Sequence, residues 1–295
     1  MFPANIEQYV RPQSVAEALA ACAGYDAGEA MFIAGGQSLM QAMKSRMARP
    51  RCLIDLQAIS ELKGICPDDG AFHIGAMTRY VSIANDERLT GYFAALRDAA
   101  QHVGDRQVRN RGTIGGSCCW NYVASCMPAV VMGLGGEMKL QAADGSQRSV
   151  AAEDFLIAPL ETARADDEML LAIRIPQPAG RGGSAYKKWG LVKDALPVVG
   201  VCVAVTLDSN GRCATARVAL AGLSAGAHRA TAAEQALVGS AGDAAAIAQA
   251  FDAAANAADA QGDKWADMAY RQNLIRTLGQ DVATSAFARA AGRQE

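Results

Sequence analysis

The chain has 295 residues, of which 51% are apolar and 20% are charged, with a formal net charge of −2 at pH 7. This length and composition predict two or three domains with a buried core and exclude a disordered scaffold. The small net charge provides no long-range field that would attract phosphate backbones, so nucleic acid is not an expected partner.

The N-terminal segment has no basic stretch followed by an apolar one, and no run of 18 apolar residues occurs later in the chain. We therefore expect a cytoplasmic protein without a membrane span.

Ser14 and Glu17 have the spacing of a capping box at the start of a helix.

The first half of the chain predicts alternating strands and helices. An apolar strand that ends at Ala34 leads through two glycines into a helical pattern, which predicts a strand, a tight turn and a helix. The charged run at 166–168 is interpreted as a solvated turn. Further elements are predicted by alternation or helical spacing: strands at 52–56, 71–76, 138–142 and 170–175, a helix that Thr78 caps and that extends to Leu89, and a helix at 92–102.

A change of composition predicts a domain boundary near residue 176. Residues 176–184 contain two prolines and three glycines, and we place the domains at 1–176 and 177–295. Three strands follow, the last two joined by a hairpin turn at Asn210 and Gly211. Alanine-rich helices are predicted at 232–238, 244–260 and 268–290. A sheet covered on one face by helices is the simplest packing, so the fold class is α+β.

Two glycine-containing segments about eighty residues apart carry the main functional feature: AGGQS at 34–38 and TIGGS at 113–117. Paired glycines let the backbone turn sharply and approach a ligand. Successive N–H groups in such turns form an anion-binding concavity, so two such loops can hold a diphosphate from both sides. Each glycine pair taken alone also fits a purely structural turn. Neither segment matches the dinucleotide GxGxxG motif or the P-loop motif.

Several motifs in order resemble the FAD-binding medium subunit of the molybdenum hydroxylases, the family of carbon monoxide dehydrogenase and xanthine dehydrogenase. The match in order and length extends over essentially the whole chain. The matching segments are RPQSVAEAL at 11–19, AGGQSLM at 34–40, CLIDL at 52–56, GAMTR at 75–79, RNRGTIGG at 109–116 and YKKW at 186–189.

The resemblance implies a FAD-binding domain of the PCMH/VAO type, built of two α/β subdomains and shared with vanillyl-alcohol oxidase, followed by a small α+β domain. It implies that both glycine segments hold the FAD diphosphate and that a lysine on the first strand of the second domain, matched by Lys187, lies near the flavin. The residues indicated for contact with FAD are Phe32, Ile33, Ala34, Gly35, Gly36, Gln37, Ser38, Leu39, Thr113, Ile114, Gly115, Gly116, Ser117, Leu170, Leu171 and Lys187.

The resemblance also implies a division of labour among three subunits. A large subunit carries the molybdenum cofactor and oxidises the substrate, and a small subunit carries two 2Fe–2S clusters. This chain then passes electrons through FAD to an external acceptor, in a dimer of heterotrimers.

Two alternatives stay open at this point: a stand-alone flavin oxidoreductase of the same fold, and a degenerate scaffold subunit that has lost FAD.

The sequence departs from the family pattern after the second glycine segment. Ser117 replaces the usual asparagine, and Cys126 stands where an aspartate usually contacts FAD. Cys118, Cys119 and Cys126 lack the fourth ligand of an iron–sulfur cluster, so no metal site is predicted in this chain. The eight cysteines form no CxxC pair, and we expect most of them to be buried free thiols.

Overall fold

The computed structural model describes residues 5–68 and 70–293. Two β-sheets lie in the N-terminal part of the chain and a third lies in the C-terminal part. Among the helices of the described residues, none is long and apolar enough to cross a membrane.

The first sheet is parallel, with its third strand in the centre. This strand is buried along its whole length, as expected for a central parallel strand, and so requires apolar residues on both faces. The sheet and its helices comprise β1 (Gln8–Val10), α1 (Val15–Ala20), β2 (Ala30–Ile33), α2 (Leu39–Lys44) and β3 (Cys52–Asp55).

The predicted capping box at α1 is present with one difference. The Ser14 hydroxyl accepts a hydrogen bond from the Glu17 N–H at 3.2 Å. The Glu17 carboxylate accepts from the Gln13 N–H at 2.7 Å rather than from the N–H of Ser14. The two side chains still satisfy two free backbone donors at the start of the helix.

The second sheet is antiparallel, in the order β4-β5-β8-β6-β7. Its strands are β4 (Ile65–Asp68), β5 (Ala71–Gly75), β6 (Glu137–Ala142), β7 (Gln147–Ala151) and β8 (Glu168–Pro176). The prediction of a solvated turn at 166–168 is wrong for Glu168, which is buried and begins β8. Its carboxylate accepts from the Arg148 guanidinium at 2.6 Å, and this partner on β7 allows the charge to be buried.

Helices fill the sequence between these strands. They are α3 (Tyr80–Ala84), α4 (Ala94–His102), α5 (Arg106–Arg111), α6 (Ile114–Trp120), α7 (Cys126–Gly133) and α8 (Ala152–Phe155). The prediction that Thr78 caps a helix up to Leu89 is wrong. The Thr78 hydroxyl is hydrogen-bonded to the backbone N–H and carbonyl of Gly64, at 3.0 and 2.9 Å, so Arg79 precedes the helix and Ala84 ends it.

The third sheet is antiparallel, in the order β12-β11-β10-β9, and three helices follow it. These elements are β9 (Arg181–Trp189), β10 (Val199–Leu207), β11 (Cys213–Ala221), β12 (His228–Arg229), α9 (Thr231–Leu237), α10 (Ala244–Ala257) and α11 (Met268–Ala290). The α+β class is confirmed. The prediction of one covered face was incomplete, because β10 is buried on both faces. Val201 packs with the helices, whereas Cys202 packs with the core of the N-terminal part.

Polar contacts also join the two parts. The Asp98 carboxylate on α4 accepts from the backbone N–H of Tyr186 at 3.1 Å and from the Arg289 guanidinium at 2.6 Å. Arg289 also donates to the Ser184 carbonyl at 2.8 Å, and the Ser184 hydroxyl donates to the Tyr92 carbonyl at 2.7 Å. These bonds fix β9 and the end of α11 against α4.

Candidate functional site

A cavity of about 460 Å³ lies between the N-terminal part and the beginning of the third sheet. The carboxyl ends of the parallel strands β2 and β3 reach it, because Ala34 and Leu56 are in its wall. This edge is where open α/β sheets bind ligands. The lining residues with polar or charged side chains are Gln37, Ser38, Tyr80, Thr113, Ser117, Trp120, Ser125, Arg164, Lys188 and Asp194.

The first glycine segment presents free backbone donors in the cavity wall. The N–H groups of residues 35–38 donate to no acceptor within the part of the chain that the structure describes. Gly36 has a φ of +73°, in the left-handed region that occurs in anion-binding nests. Ser38 precedes α2 without a side-chain capping bond, so its hydroxyl is also available. This segment has the form of an anion-binding nest.

The second glycine segment differs from its prediction as a loop with free N–H groups. It is the first turn of α6, which Thr113 caps by accepting from the Gly116 N–H at 3.2 Å. The Gly115 N–H donates to the Ala76 carbonyl at 2.9 Å, and the Ser117 N–H donates to the Thr113 carbonyl at 3.1 Å. These donors are already used, so the segment brings a helix N-terminus to the cavity rather than a second nest.

The glycines of the second segment serve close packing. A Cβ on Gly115 would lie 2.6 Å from the Cβ of Ala76, and a Cβ on Gly116 would lie 2.8 Å from the Thr113 hydroxyl oxygen. Gly35 likewise packs directly on the backbone of Arg111. The first segment therefore packs on the residues that lead into the second segment, and both segments contribute to the cavity wall.

Most residues predicted to contact the cofactor line this cavity: Phe32, Ala34, Gly35, Gly36, Gln37, Ser38, Leu39, Thr113, Gly115, Gly116, Ser117 and Leu170. Three others lie in apolar packing instead. Ile33 packs in the cluster around Leu39, Ile114 is fully buried in the N-terminal core, and Leu171 packs near α1. Leu171 follows Leu170 on β8, and successive side chains of a strand point to opposite faces.

The predicted lysine is displaced by one residue. The Lys187 ammonium forms an exposed ion pair with Asp281 of α11 at 2.7 Å, on the helix-covered face of the third sheet. Lys188 points to the other face, lines the cavity and donates to the Ala195 carbonyl. Burial lowers the pKa of Lys188. The cavity-facing lysine is therefore Lys188 rather than Lys187.

Sequence reasoning missed two whole sections of the wall. One is the connection between α6 and α7, which contributes Ala124 and Ser125 and leads to Cys126, a position that the resemblance had already indicated. The other is the β9–β10 loop, which contributes residues 194–197. Arg164 was also missed, and its guanidinium donates to the Ala165 carbonyl at 2.7 Å. No local pattern marks these residues, because tertiary packing brings them to the cavity.

The thiols in the wall are protonated at neutral pH. Burial raises the pKa of Cys119 to about 11 and also raises the pKa of Cys126, which lies beside the Tyr186 hydroxyl. A protonated thiol carries no charge, so Cys126 does not replace the negative charge of an aspartate.

The donors and the shape of this wall fit a dinucleotide with a diphosphate. The nest at residues 35–38 offers successive N–H donors to an anion. Lys188 adds a positive charge from the other side, and apolar side chains such as Phe32, Met77 and Leu170 provide surface for flat rings.

Family models match nearly the whole chain. Residues 4–178 match the FAD binding domain in molybdopterin dehydrogenase, and residues 184–286 match the CO dehydrogenase flavoprotein C-terminal domain. The carbon monoxide dehydrogenase medium chain of Hydrogenophaga pseudoflava is 31% identical over 99% of this chain and 100% of its own length. The 6-hydroxypseudooxynicotine dehydrogenase complex subunit alpha of Paenarthrobacter nicotinovorans is 31% identical, covering 97% of this chain and 96% of the relative.

Solved structures share the fold over the same length. A carbon monoxide dehydrogenase structure from Hydrogenophaga pseudoflava superposes with a TM-score of 0.91 at 32% identity, covering 98% of this chain and 99% of that one. Together with the family models and the cavity, this similarity shows that the chain belongs to the FAD-binding medium subunits of the molybdenum hydroxylase family.

Proposed function

We propose that this subunit holds FAD in the cavity between its two parts and passes electrons from the 2Fe–2S clusters of a partner subunit to an external acceptor. The observation that carries the proposal is the nest of free N–H groups at residues 35–38, which faces the start of α6 and is closed by Lys188. FAD supplies the chemistry, because it takes up electrons singly and releases them in pairs.

The chain's own residues bind and orient the cofactor. The N–H groups of residues 35–38 and the Ser38 hydroxyl donate to the diphosphate, and Lys188 offsets its second charge. Gly115 and Gly116 let the first turn of α6 pack closely on Ala76 and Thr113, and Ser117 lies in the cavity wall. Leu170 and Met77 line the cavity and would exclude water from the ring system.

The proposed partners are a large subunit with the molybdenum cofactor and a small subunit with two 2Fe–2S clusters, in a dimer of heterotrimers. Relatives of this chain have names that describe them as medium chains or as subunits of dehydrogenase complexes. Within the proposed assembly the substrate meets molybdenum on the large subunit, so this chain determines the acceptor side of the reaction.

Removal and return of FAD in the whole complex tests the electron-transfer role. The tagged chain is purified with its partners, and molybdenum, iron and FAD are quantified. FAD is then released at high salt. We expect the iron–sulfur absorbance to bleach with reductant as before, while electron transfer to acceptors stops and returns when FAD is added.

Two further samples, the isolated chain and the assembled complex, distinguish the two alternative functions. If the isolated chain turns over with an organic donor, it is a stand-alone flavin oxidoreductase. If the complex assembles without flavin and transfers electrons at an undiminished rate, the chain is a scaffold, and the neutral Cys126 thiol is the feature that favours that outcome.

A further inference from the structure

A buried arginine connects two sections of the cavity wall, the β9–β10 loop and the α6–α7 connection, although it does not line the cavity itself. Arg271, in the first turn of α11, has a side chain that is 5% exposed. Its Nη1 atom donates to the carbonyl oxygens of Val198 and Gly222, each at 2.5 Å, and its Nη2 atom donates to the Asp263 carboxylate at 2.6 Å. One guanidinium therefore connects three separate segments.

The first contact fixes the end of the β9–β10 loop. Val198 directly follows the lining residues 194–197, and its N–H donates to the Trp189 carbonyl at 2.8 Å. The N–H bond closes the base of the loop, and the carbonyl bond to Arg271 anchors that base to α11. The position of the loop at the cavity thus depends on an acceptor that Arg271 satisfies.

The second contact reaches the other section of the wall. Gly222, whose carbonyl accepts from Arg271, donates its N–H to the Val123 carbonyl at 2.9 Å. Val123 immediately precedes the lining residues 124–126. Gly222 also has a φ of +85°, and a Cβ there would lie 2.8 Å from the carbonyl carbon of Val198. The same guanidinium therefore holds one section through Val198 and the other through Gly222 and Val123.

We propose that Arg271 is a positioning residue for the FAD site, which sets the β9–β10 loop and the α6–α7 connection at the distance that the cofactor requires. The proposal rests on the proposed function as an FAD-binding subunit. Arginine is needed because a planar fork with several N–H donors can serve three acceptors at once, whereas a lysine ammonium is a flexible point charge. The Asp263 carboxylate neutralises the buried charge.

Arg271→Lys in the full chain tests the proposal, with Arg229→Lys as the matched control. Arg229 is a partly buried clamp too, paired with Glu153 and Glu234, but neither of these partners adjoins a residue that lines the cavity. We expect both variants to lower the melting temperature. Titration of the apo chain with FAD should show a Kd increase of about tenfold or more for Arg271→Lys, and less than about twofold for Arg229→Lys.

A cofactor-free measurement keeps this inference separate from the proposed function. Lys193 is an exposed trypsin site within the β9–β10 loop. In the apo state, Arg271→Lys should be cleaved there faster than the parent chain, whereas Arg229→Lys should not. If Arg271→Lys does not fold, Asp263→Asn replaces it, with the same direction and a smaller effect expected in both measurements.

An unchanged cleavage rate at Lys193, or an FAD Kd that shifts equally in Arg271→Lys and Arg229→Lys, would overturn the positioning role. A parent chain that does not bind FAD would instead contradict the proposed function, and the cleavage measurement would still report on Arg271.

Discussion

Gly36 combines a left-handed backbone with a place in the nest that faces the cavity. Gly28 has a similar φ of +80° and no atom within 4 Å of the position that a Cβ would take, so it provides a control for backbone strain alone. A Cβ in this conformation costs about 1–2 kcal/mol. We expect Gly36→Ala and Gly28→Ala to lose similar stability in urea unfolding, but only Gly36→Ala to weaken FAD binding. Equal FAD affinities in the two variants would exclude the nest as the diphosphate site.

Neighbouring lysines on β9 give a second comparison at the residue scale. Lys188→Met removes a charge from the cavity and should raise the Kd for FAD, whereas Lys187→Met removes only an exposed ion pair worth about 0–1 kcal/mol. Titration of both variants with FAD distinguishes the two positions. A larger loss of affinity for Lys187→Met than for Lys188→Met would restore the assignment made from sequence.

The pH dependence of FAD affinity follows from the same lysine. Because burial lowers the pKa of Lys188, the side chain loses its proton at a lower pH than an exposed lysine does. The affinity of the parent chain for FAD should therefore fall as the pH rises through the pKa of Lys188. Lys188→Met should show no such fall, and an identical alkaline decrease in both proteins would contradict the role of this charge.

The residue-scale errors have a physical origin. The strand, tight turn and helix around residues 34–38 agree with the prediction, because glycines act through local backbone geometry. The lysine was misplaced because a shift of one residue along a strand reverses the face of the sheet, and the sequence YKKW offers a lysine to each face.

At the scale of elements, the start of α6 shapes the wall through its cap. The Thr113 hydroxyl oxygen accepts from the Gly116 N–H, so Thr113→Val should lose about 1 kcal/mol of unfolding free energy, whereas Thr113→Ser should retain most of it. Urea unfolding of the two apo variants measures the difference. If both variants are equally stable, the hydroxyl does not cap the helix.

The start of β8 depends on a buried carboxylate that the sequence pattern placed in solvent. The Arg148 guanidinium beside Glu168 holds the pKa of this carboxyl below its ordinary value of 4.5. Its stabilisation is therefore complete above pH 4.5 and is lost as the pH falls through the lowered pKa. Arg148 lies on another strand, so no local pattern could reveal the pair.

Glu168→Gln should accordingly be less stable than the parent by about 1–3 kcal/mol at neutral pH. The difference between the two proteins should shrink as the pH falls below 4.5, because the parent loses the same charge. Unfolding measured across acidic pH tests the sign. A difference that grows toward low pH would contradict the assignment of the charged form to Glu168.

At the scale of the whole molecule, the contact between the two parts builds the site, since both contribute to the cavity wall. The sequence predicted the α+β class and the order of most elements, because their periodicity and turns are local. It did not predict that the third sheet would bury its second face against α4 and α7. The consecutive apolar residues of β10 were consistent with such burial but did not identify the partner.

The most direct test of an FAD site built by both parts is titration of the apo full-length chain with FAD and, separately, with FMN, which lacks the diphosphate and the adenosine. We expect saturable binding of one FAD per chain and much weaker binding of FMN, because the nest at residues 35–38 is built for the diphosphate. No binding of FAD, or equal affinity for FAD and FMN, would contradict this assignment.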